Sequence, residues 1–244
     1  MKTLAKITWV ETKLFFREPA SWIIPLLLPT FVLIVLGSIP SLRQPAELFG
    51  GQRFIDVYVP SGMVITLATL GVNVLPLRLT NQREKGVLRR LSTTPVNPVL
   101  LLAAQVIINI ILAVAAVALL IGTATLAFDV PFPRNAGGFL AVFLLGLASM
   151  LALGLLVAAV APTARAGAAL SMPMYFMVMF LGGAYLPRAF LPDFLVTAGK
   201  YIPPGVEPLL ASWVGAAPDP GQMASLALVS VVAALGAARA FRWE

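Results

Sequence analysis

Residues 81–98, NQREKGVLRRLSTTPVNP, form a short basic segment between two long apolar runs, residues 58–79 and 99–128. An apolar run of about 20 residues is long enough to cross the roughly 30 Å hydrocarbon layer as a helix. Loops rich in Lys and Arg are retained on the cytoplasmic side of a membrane. The segment therefore predicts a cytoplasmic loop that joins two membrane spans.

Composition places the rest of the chain in the membrane as well. Hydrophobic residues make up 59% of the 244 residues and charged residues only 11%, and the mean hydropathy is +0.94. Six apolar runs are predicted to span, residues 21–39, 58–79, 99–128, 138–160, 167–186 and 222–240. Their unbroken hydrophobicity differs from the alternating pattern of a transmembrane β-strand. Because the connections are short, residues 1–244 are predicted to form one all-α membrane domain.

The distribution of basic residues predicts the orientation. With a cytoplasmic N-terminus, five of the 17 basic residues fall outside, and the other 12 fall inside; the five are Arg43, Arg53, Arg134, Arg188 and Lys200. This asymmetry predicts that both termini are cytoplasmic. It also accounts for the net charge of +7 without a nucleic-acid partner. The chain has no Cys, which excludes disulfides and thiolate chemistry.

Residues 1–19 predict an amphipathic helix that lies in the inner membrane interface. On a helical wheel the residues separate into two sectors. The basic sector contains Lys2, Lys6, Lys13 and Arg17. The apolar sector contains Leu4, Ile7, Val10, Leu14 and Phe15. A helix with these two faces lies flat at the level of the lipid headgroups, and Pro19 ends it. The alternative is a solvated basic leader that only follows the charge rule.

Residues 81–97 predict a short cytoplasmic helix within the loop. Glu84 near its start and Arg89 and Arg90 near its end complement a helix dipole, and Gly86 inside it would cost about 1 kcal/mol. Asn97 and Pro98 are the residue types expected at the cap and first position of the next span. From composition alone, an ordinary basic loop is the alternative.

The segment 187–221 is expected outside the cell and contains seven prolines. Its two apolar pieces, residues 194–198 and 209–214, are too short to span. They are predicted to pack over the spans as a re-entrant segment, since backbone at membrane depth must be buried by protein. The alternative is an irregular external loop.

The energy source is predicted to lie on another chain. The six predicted spans contain no Asp or Glu and the chain has no His, so an intramembrane proton relay is absent. No G-x-x-x-x-G-K-[ST] loop is present to hold a nucleotide phosphate. Coupling to sodium is less firmly excluded, because backbone carbonyls at broken helices can hold that ion.

Polar and flexible side chains within the spans give candidates for a transport path. Asn73 lies in the second span, and Gln105 and Asn109 share one face of the third. These residues either line a substrate path or dimer seam, or only hydrogen-bond between helices. Met174 and Met177 belong to a methionine-rich fifth span, which suits varied apolar cargo but is equally compatible with ordinary packing.

The loop also carries a family signature. Residues 83–96, REKGVLRRLSTTPV, resemble the R-E-x-G-x-L-x-x-L-x-x-T-P-V pattern of type-2 ABC exporter permeases, in particular the daunorubicin-resistance-like branch. The resemblance extends to the N-terminal helix ending in Arg17-Glu18-Pro19, the six spans and the proline-rich segment before the last span.

The resemblance implies a function and a set of partners. It implies a permease subunit of an ATP-driven exporter in a bacterial plasma membrane, with an amphipathic cargo such as a drug, lipid, glycolipid or peptide. It implies a second permease copy or paralogue and two ATPase subunits that carry ATP and Mg, with no catalytic site, cofactor or metal on this chain. The residues expected to form or shape the ATPase contact are Arg83, Glu84, Gly86, Leu88, Leu91 and Pro95.

Three alternatives remain open at this stage. A haem-exporter-like permease of cytochrome biogenesis is disfavoured because the chain has no His or Cys to bind iron. An intramembrane enzyme acting on lipid headgroups would need grouped acids, bases or metal ligands, whereas the acidic residues are scattered singly along loops. A passive channel lacks a charged or carbonyl filter signature.

Overall fold

The structure, a computed structural model, describes residues 2–87, 97, 99–181 and 192–241. Its described part contains six helices that are long and apolar enough to cross a membrane, which confirms the predicted number of spans. They are span 1, Pro19–Gly37, span 2, Phe54–Glu84, span 3, Val99–Phe128, span 4, Ala136–Val160, span 5, Ala164–Leu181, and span 6, Pro220–Ala240.

The two ends of the helical bundle are named here by the segments they carry. The basal end carries the N-terminal helix, residues 81–87 and 97, the turn between spans 4 and 5, and the residue after span 6. The distal end carries the connections between spans 1 and 2, between spans 3 and 4, and the described part of the segment before span 6.

Span 2 is longer than predicted at both ends. It begins at Phe54, where the backbone N–H and the guanidinium of Arg53 both donate to the Asp56 carboxylate in the first turn. At the basal end the helix continues through polar residues as far as Glu84, although hydropathy alone ends the span at residue 79. Span 5 is described only as far as Leu181, and its predicted end at residue 186 lies outside the described residues.

Span 2 is the central helix of the subunit. In its most apolar stretch, 72% of the residues are buried, against 17% for span 6. Spans 1, 3, 4 and 5 all contact it, span 6 packs mainly on span 4, and the N-terminal helix packs mainly on span 3. A displacement of span 2 must therefore be accommodated by most of the bundle.

The middle of span 2 contains a π-helical segment, Thr69–Val74. A Cβ on Gly71 would lie 2.6 Å from the Met150 backbone of span 4, and a Cβ on Gly154 would collide with the Gly71 carbonyl oxygen. Glycine at both positions allows the two backbones to touch. The Thr69 hydroxyl lies 3.3 Å from the Tyr175 hydroxyl of span 5. Spans 4 and 5 thus meet span 2 where its helix is irregular.

The N-terminal helix, Lys2–Phe16, forms as predicted and ends before Pro19. Glu11 and Phe15 set the face that it turns toward the protein. Glu11 and Phe15 are buried, whereas Val10 and Leu14 of the predicted apolar sector are exposed. The reason is that Glu11 finds polar partners beneath the helix, and exposed apolar residues are compatible with a membrane surface. The position of this helix in the interface stays a prediction.

The proline-rich segment folds into two short helices in its described part, Asp193–Gly199 and Val206–Val214. The second helix buries Leu209 and Trp213, and the Trp213 ring meets Phe139 of span 4 edge-on with centroids 6.0 Å apart. An irregular loop is therefore the wrong description of this part. Whether these helices re-enter the membrane stays a prediction.

Candidate functional site at the base of span 2

Gly86 closes the basal end of span 2. The backbone N–H of Lys85 donates to the Asn81 carbonyl at 3.0 Å, and that of Gly86 donates to the Arg83 carbonyl at 2.9 Å. Gly86 has φ +69°, the left-handed conformation that glycine adopts after the end of a helix. The predicted helix running from Glu84 through Gly86 is therefore wrong, because Glu84 belongs to span 2 and Gly86 interrupts the helical conformation. Leu88, Leu91 and Pro95 lie outside the described residues.

Arg83 joins span 2 to spans 4 and 6. Its Nη1 donates to the carbonyl oxygens of Ala158 and Ala161, at 2.9 Å and 2.6 Å. These carbonyls belong to the C-terminal end of span 4, where a helix leaves its last acceptors unsatisfied. The guanidinium also lies 5.1 Å from the centroid of the Phe241 ring, directly after span 6.

Glu84 joins span 2 to span 5. Its Oε1 accepts a hydrogen bond of 2.8 Å from the backbone N–H of Ala164, the first residue of span 5. A carboxylate at this position satisfies a free N–H of the helix start and complements its positive dipole end. Arg83 and Glu84 with Ala158, Ala161 and Ala164 are called the basal junction below.

Four polar side chains form a second buried group, called here the Glu11 cluster: Glu11, Arg78, Gln82 and Gln105. Oε2 of Glu11 accepts from Nε2 of Gln105 at 2.6 Å and from Nε2 of Gln82 at 2.9 Å. Nη2 of Arg78 lies 3.8 Å from the same oxygen, and the guanidinium of Arg78 lies 4.5 Å from the centroid of the Phe15 ring. The cluster ties the N-terminal helix to spans 2 and 3.

Sequence reasoning missed Glu11, although two signals pointed to it. A buried charge is costly unless it is paired and hydrogen-bonded, so a lone acid one turn before the apolar Phe15 implies partners below the helix. Arg78 lies in the apolar run of span 2, and a basic residue within a span needs a counter-charge. It therefore predicts an acidic partner nearby. The two signals stand 67 positions apart in the chain, which hides the pair from any local pattern.

The candidate path residues do not form one group. Gln105 and Asn109 are fully buried, and Nδ2 of Asn109 donates to the Gln105 carbonyl of its own helix at 2.8 Å. Because Gln105 bonds to Glu11, it makes the interhelical hydrogen bond that was the alternative reading. Asn73 is half-buried in the π-helical segment, and its side chain makes no hydrogen bond to any described residue.

The methionines of span 5 point in different directions. Met177 is 56% exposed and Met179 is fully buried, while Met174 is half-buried against the core. Four methionines over eight residues thus cover more than one face of the helix. A role of Asn73, Gln105, Asn109, Met174 or Met177 in a transport path stays a prediction.

At the distal end, Arg53 fixes the start of span 2 to the end of span 3. Its Nη2 forms an ion pair with Oδ1 of Asp56 at 2.7 Å, and its guanidinium donates to the carbonyls of Phe128 and Asp129, each at 3.1 Å. The hydrogen bond to Asp56 raises the pKa of Arg53 above its usual value. Span 2 is therefore held by polar contacts at both ends.

Five apolar helices around a central sixth, with polar ties between them, make this part of the chain a multi-pass helical membrane domain. The chain belongs to the ABC-2 type transporter family, whose model matches residues 3–204. The match confirms the resemblance to type-2 ABC permeases, while the narrower daunorubicin-resistance-like branch stays a prediction. The comparison with curated proteins gives no match.

Family membership fixes the general role of the chain. It is the membrane permease subunit of an ABC transporter and associates with ABC ATPase subunits. The family is one of transport subunits, and the sequence contains no G-x-x-x-x-G-K-[ST] phosphate-binding loop.

Proposed function

We propose that this permease exports an amphipathic cargo from the cytoplasm or inner leaflet of a bacterial plasma membrane, as a dimer with two ATPase subunits that bind ATP and Mg. The observation that carries the proposal is the basal junction. The signature segment, residues 83–96, would receive a push from the ATPase. Its first two residues belong to span 2, which they tie to spans 4, 5 and 6. Both termini and the basal end face the cytoplasm in this proposal, as the distribution of basic residues predicts.

The junction gives Arg83 and Glu84 a different role from the one implied by resemblance. Their polar atoms are directed at the ends of spans 4 and 5, so we propose that they transmit the stroke inside the permease. Direct contact with the ATPase is left to the following part of the loop, including Leu88, Leu91 and Pro95. Gly86 separates the two parts as a hinge-like residue.

The two ends of span 2 define how it moves in this proposal. Arg53 holds the distal end to the carbonyls after span 3, while the basal end carries the junction and the Glu11 cluster. A push at the base would therefore tilt span 2 about its distal end. The end of span 4 and the start of span 5 would move with it. Tilting helices of this kind exposes a path alternately to the two sides of the membrane.

The cargo path is proposed to run along the outward face of span 5 and the facing permease copy. Phe176 and Met177 are more than half exposed on this face, and flexible thioethers accept apolar molecules of varied shape. Asn73 supplies a half-buried amide to the same path. Gln105 and Asn109 are assigned to support of the Glu11 cluster instead, because both are fully buried.

Direction and orientation can be tested separately. In inside-out vesicles that contain the permease and its ATPase, ATP added outside should drive a fluorescent amphipathic cargo into the lumen. Movement out of the lumen would contradict export.

Orientation is measured with single cysteines, since the native chain has none. A membrane-impermeant thiol reagent applied to intact cells should label Thr197→Cys and not Thr163→Cys. The reverse pattern would refute the cytoplasmic base.

A further inference from the structure

A crevice of about 310 Å³ opens between the end of the N-terminal helix and the base of span 2. Its volume is at the low end of the range of about 300–1,000 Å³ typical of small-molecule sites. Nine described residues line it: Glu11, Leu14, Arg17, Glu18, Arg78, Asn81, Gln82, Lys85 and Val87. Five of the nine carry charge, which sets this crevice apart from the apolar surfaces around it.

Arg78 lines the crevice and has an unused hydrogen-bond donor. The side chain is only 7% exposed, and its buried Nη1 has no hydrogen-bond partner among the described residues. Leaving a buried charged donor unpaired is costly, so such a group calls for a missing acceptor. A guanidinium is shaped to donate two parallel hydrogen bonds to a phosphate or carboxylate.

The other charges of the crevice complement a zwitterion. Arg17 and Lys85 are exposed at its rim, where interfacial cations attract lipid phosphates. The Glu11 carboxylate is already shared between Gln82, Gln105 and Arg78. Glu18 is the other carboxylate of the lining. Its side chain is exposed, its Oε2 accepts a hydrogen bond of 3.5 Å from the Ser21 hydroxyl, and its charge acts on Arg78. Three cations against two carboxylates leave the lining with a net positive charge that suits a phosphate, and the exposed Glu18 carboxylate can receive an ammonium group beside it.

The crevice also lies where a lipid headgroup would be found. Leu14 on its wall is 44% exposed, and Trp9 and Phe16 on the same helix are exposed as well, as in helices that lie at the membrane surface. Val87 adds a second apolar side chain to the lining. A lipid could thus place its phosphate among the cations and begin its acyl chains along Leu14.

We infer that this crevice binds a membrane phospholipid with an ethanolamine headgroup, its phosphate on Arg17, Arg78 and Lys85 and its ammonium on Glu18. The site is distinct from the cargo path and does not depend on the direction of transport. Because it joins the N-terminal helix to the base of span 2, an occupied crevice would brace the two against each other.

The test uses the purified full-length chain in detergent and follows its thermal unfolding. Dioctanoyl phosphatidylethanolamine should raise the melting temperature in a saturable way. Dioctanoylglycerol, which lacks the phosphate, and inorganic phosphate at the same concentration should not. Equal stabilisation by dioctanoylglycerol, or none by the phospholipid, would overturn the inference.

Paired variants locate the effect. Arg17→Gln with Lys85→Gln should raise the half-saturating lipid concentration about ten- to thirtyfold, because each interfacial cation contributes about 1 kcal/mol and 1.4 kcal/mol is tenfold. Lys6→Gln with Lys13→Gln is the control pair, which removes the same amount of charge from exposed positions of the N-terminal helix outside the crevice. It should leave the half-saturating lipid concentration unchanged. Equal weakening by both pairs would show general surface attraction and refute the site.

Two further arms distinguish the headgroup and the occupant. Glu18→Gln should abolish the preference for phosphatidylethanolamine over phosphatidylglycerol, and an unchanged preference would refute the role of the carboxylate. The lipid response should persist when the ATPase is bound. Its loss on ATPase binding would mean that the crevice is a protein-docking seat, which would also overturn the inference. Failure of either arm leaves the export assay unaffected, so the two proposals can fail separately.

Discussion

Replacement of Glu84 tests whether the basal junction transmits motion or contacts the ATPase. Oε1 of Glu84 accepts one hydrogen bond, from the Ala164 N–H at the start of span 5. Loss of a side-chain cap costs about 0.5–2 kcal/mol, and a charge at a helix end contributes about 0.3–1 kcal/mol. Glu84→Ala removes both contributions, so we expect a loss of about 1–2 kcal/mol. Glu84→Gln keeps an acceptor oxygen and should lose only the charge contribution.

A loss of this size is too small to unfold the membrane domain, but it is large enough to change how often the junction opens. At 1.4 kcal/mol per tenfold change, a junction weakened by about 1 kcal/mol is open roughly five times more often. We expect Glu84→Ala to lower the cargo moved per ATP hydrolysed severalfold, with Glu84→Gln between it and the wild type. The assay measures transport and ATP hydrolysis in the same proteoliposomes, together with the ATPase retained on co-purification.

The amount of retained ATPase decides between the two roles. If Glu84 acts within the permease, co-purification of the ATPase should stay stoichiometric while coupling falls. If Glu84 touches the ATPase, as the family resemblance implies, the retained ATPase should fall together with coupling. Arg165→Gln is the control, because Arg165 is an exposed charge in the first turn of span 5 that lies outside the junction. Wild-type coupling in Glu84→Ala would refute the reasoning.

Three further predictions concern the central span and its ties. Gly86→Val should impair coupling more than Gly86→Asn, because Asn tolerates the left-handed φ of +69° and a β-branched residue does not; equal coupling in the two variants would contradict this. Gly154→Ala should lower the melting temperature by crowding the Gly71 carbonyl, at about 1–3 kcal/mol, whereas Gly122→Ala, with open space around its Cβ, should be neutral or stabilising. Glu11→Leu should destabilise by up to about 3–5 kcal/mol because it removes the buried carboxylate that is paired with Arg78, and adding Arg78→Met should recover part of the melting temperature; a purely additive loss would show that the two residues are not coupled.

The spans could be predicted from sequence because their signal is local. Length and hydropathy indicate whether a helix is more stable in lipid than in water. That difference in stability determines that the six apolar runs span the membrane. The end of span 2 escaped the same criterion, since residues 80–84 are polar and resemble a loop. They remain helical because neighbouring helix ends supply partners for Arg83 and Glu84, and Gly86 provides the stop.

The face that the N-terminal helix turns toward the protein could not be predicted from its own residues. A helical wheel shows the basic and apolar sectors of a helix, but not which of them meets the protein. At a membrane surface the outside is apolar too, so Val10 and Leu14 gain nothing by facing inward. A buried carboxylate with three polar partners then decides the rotation of the helix. The π-helical segment was equally hidden, because the backbone contact that it contains, between Gly71 and span 4, is long-range.

The arrangement of these ties explains why the signature segment begins inside a span. A loop attached only by its backbone would bend when pushed and would pass little force to the bundle. Span 2 avoids this because Arg83 and Glu84 hold the helix end against spans 4, 5 and 6, while Glu11 holds the preceding turn against the N-terminal helix. Gly86 then allows the segment beyond it to adopt its own direction. In the proposed mechanism the rigid part of the lever therefore ends at Glu84, and the first residue free to act as a hinge is Gly86.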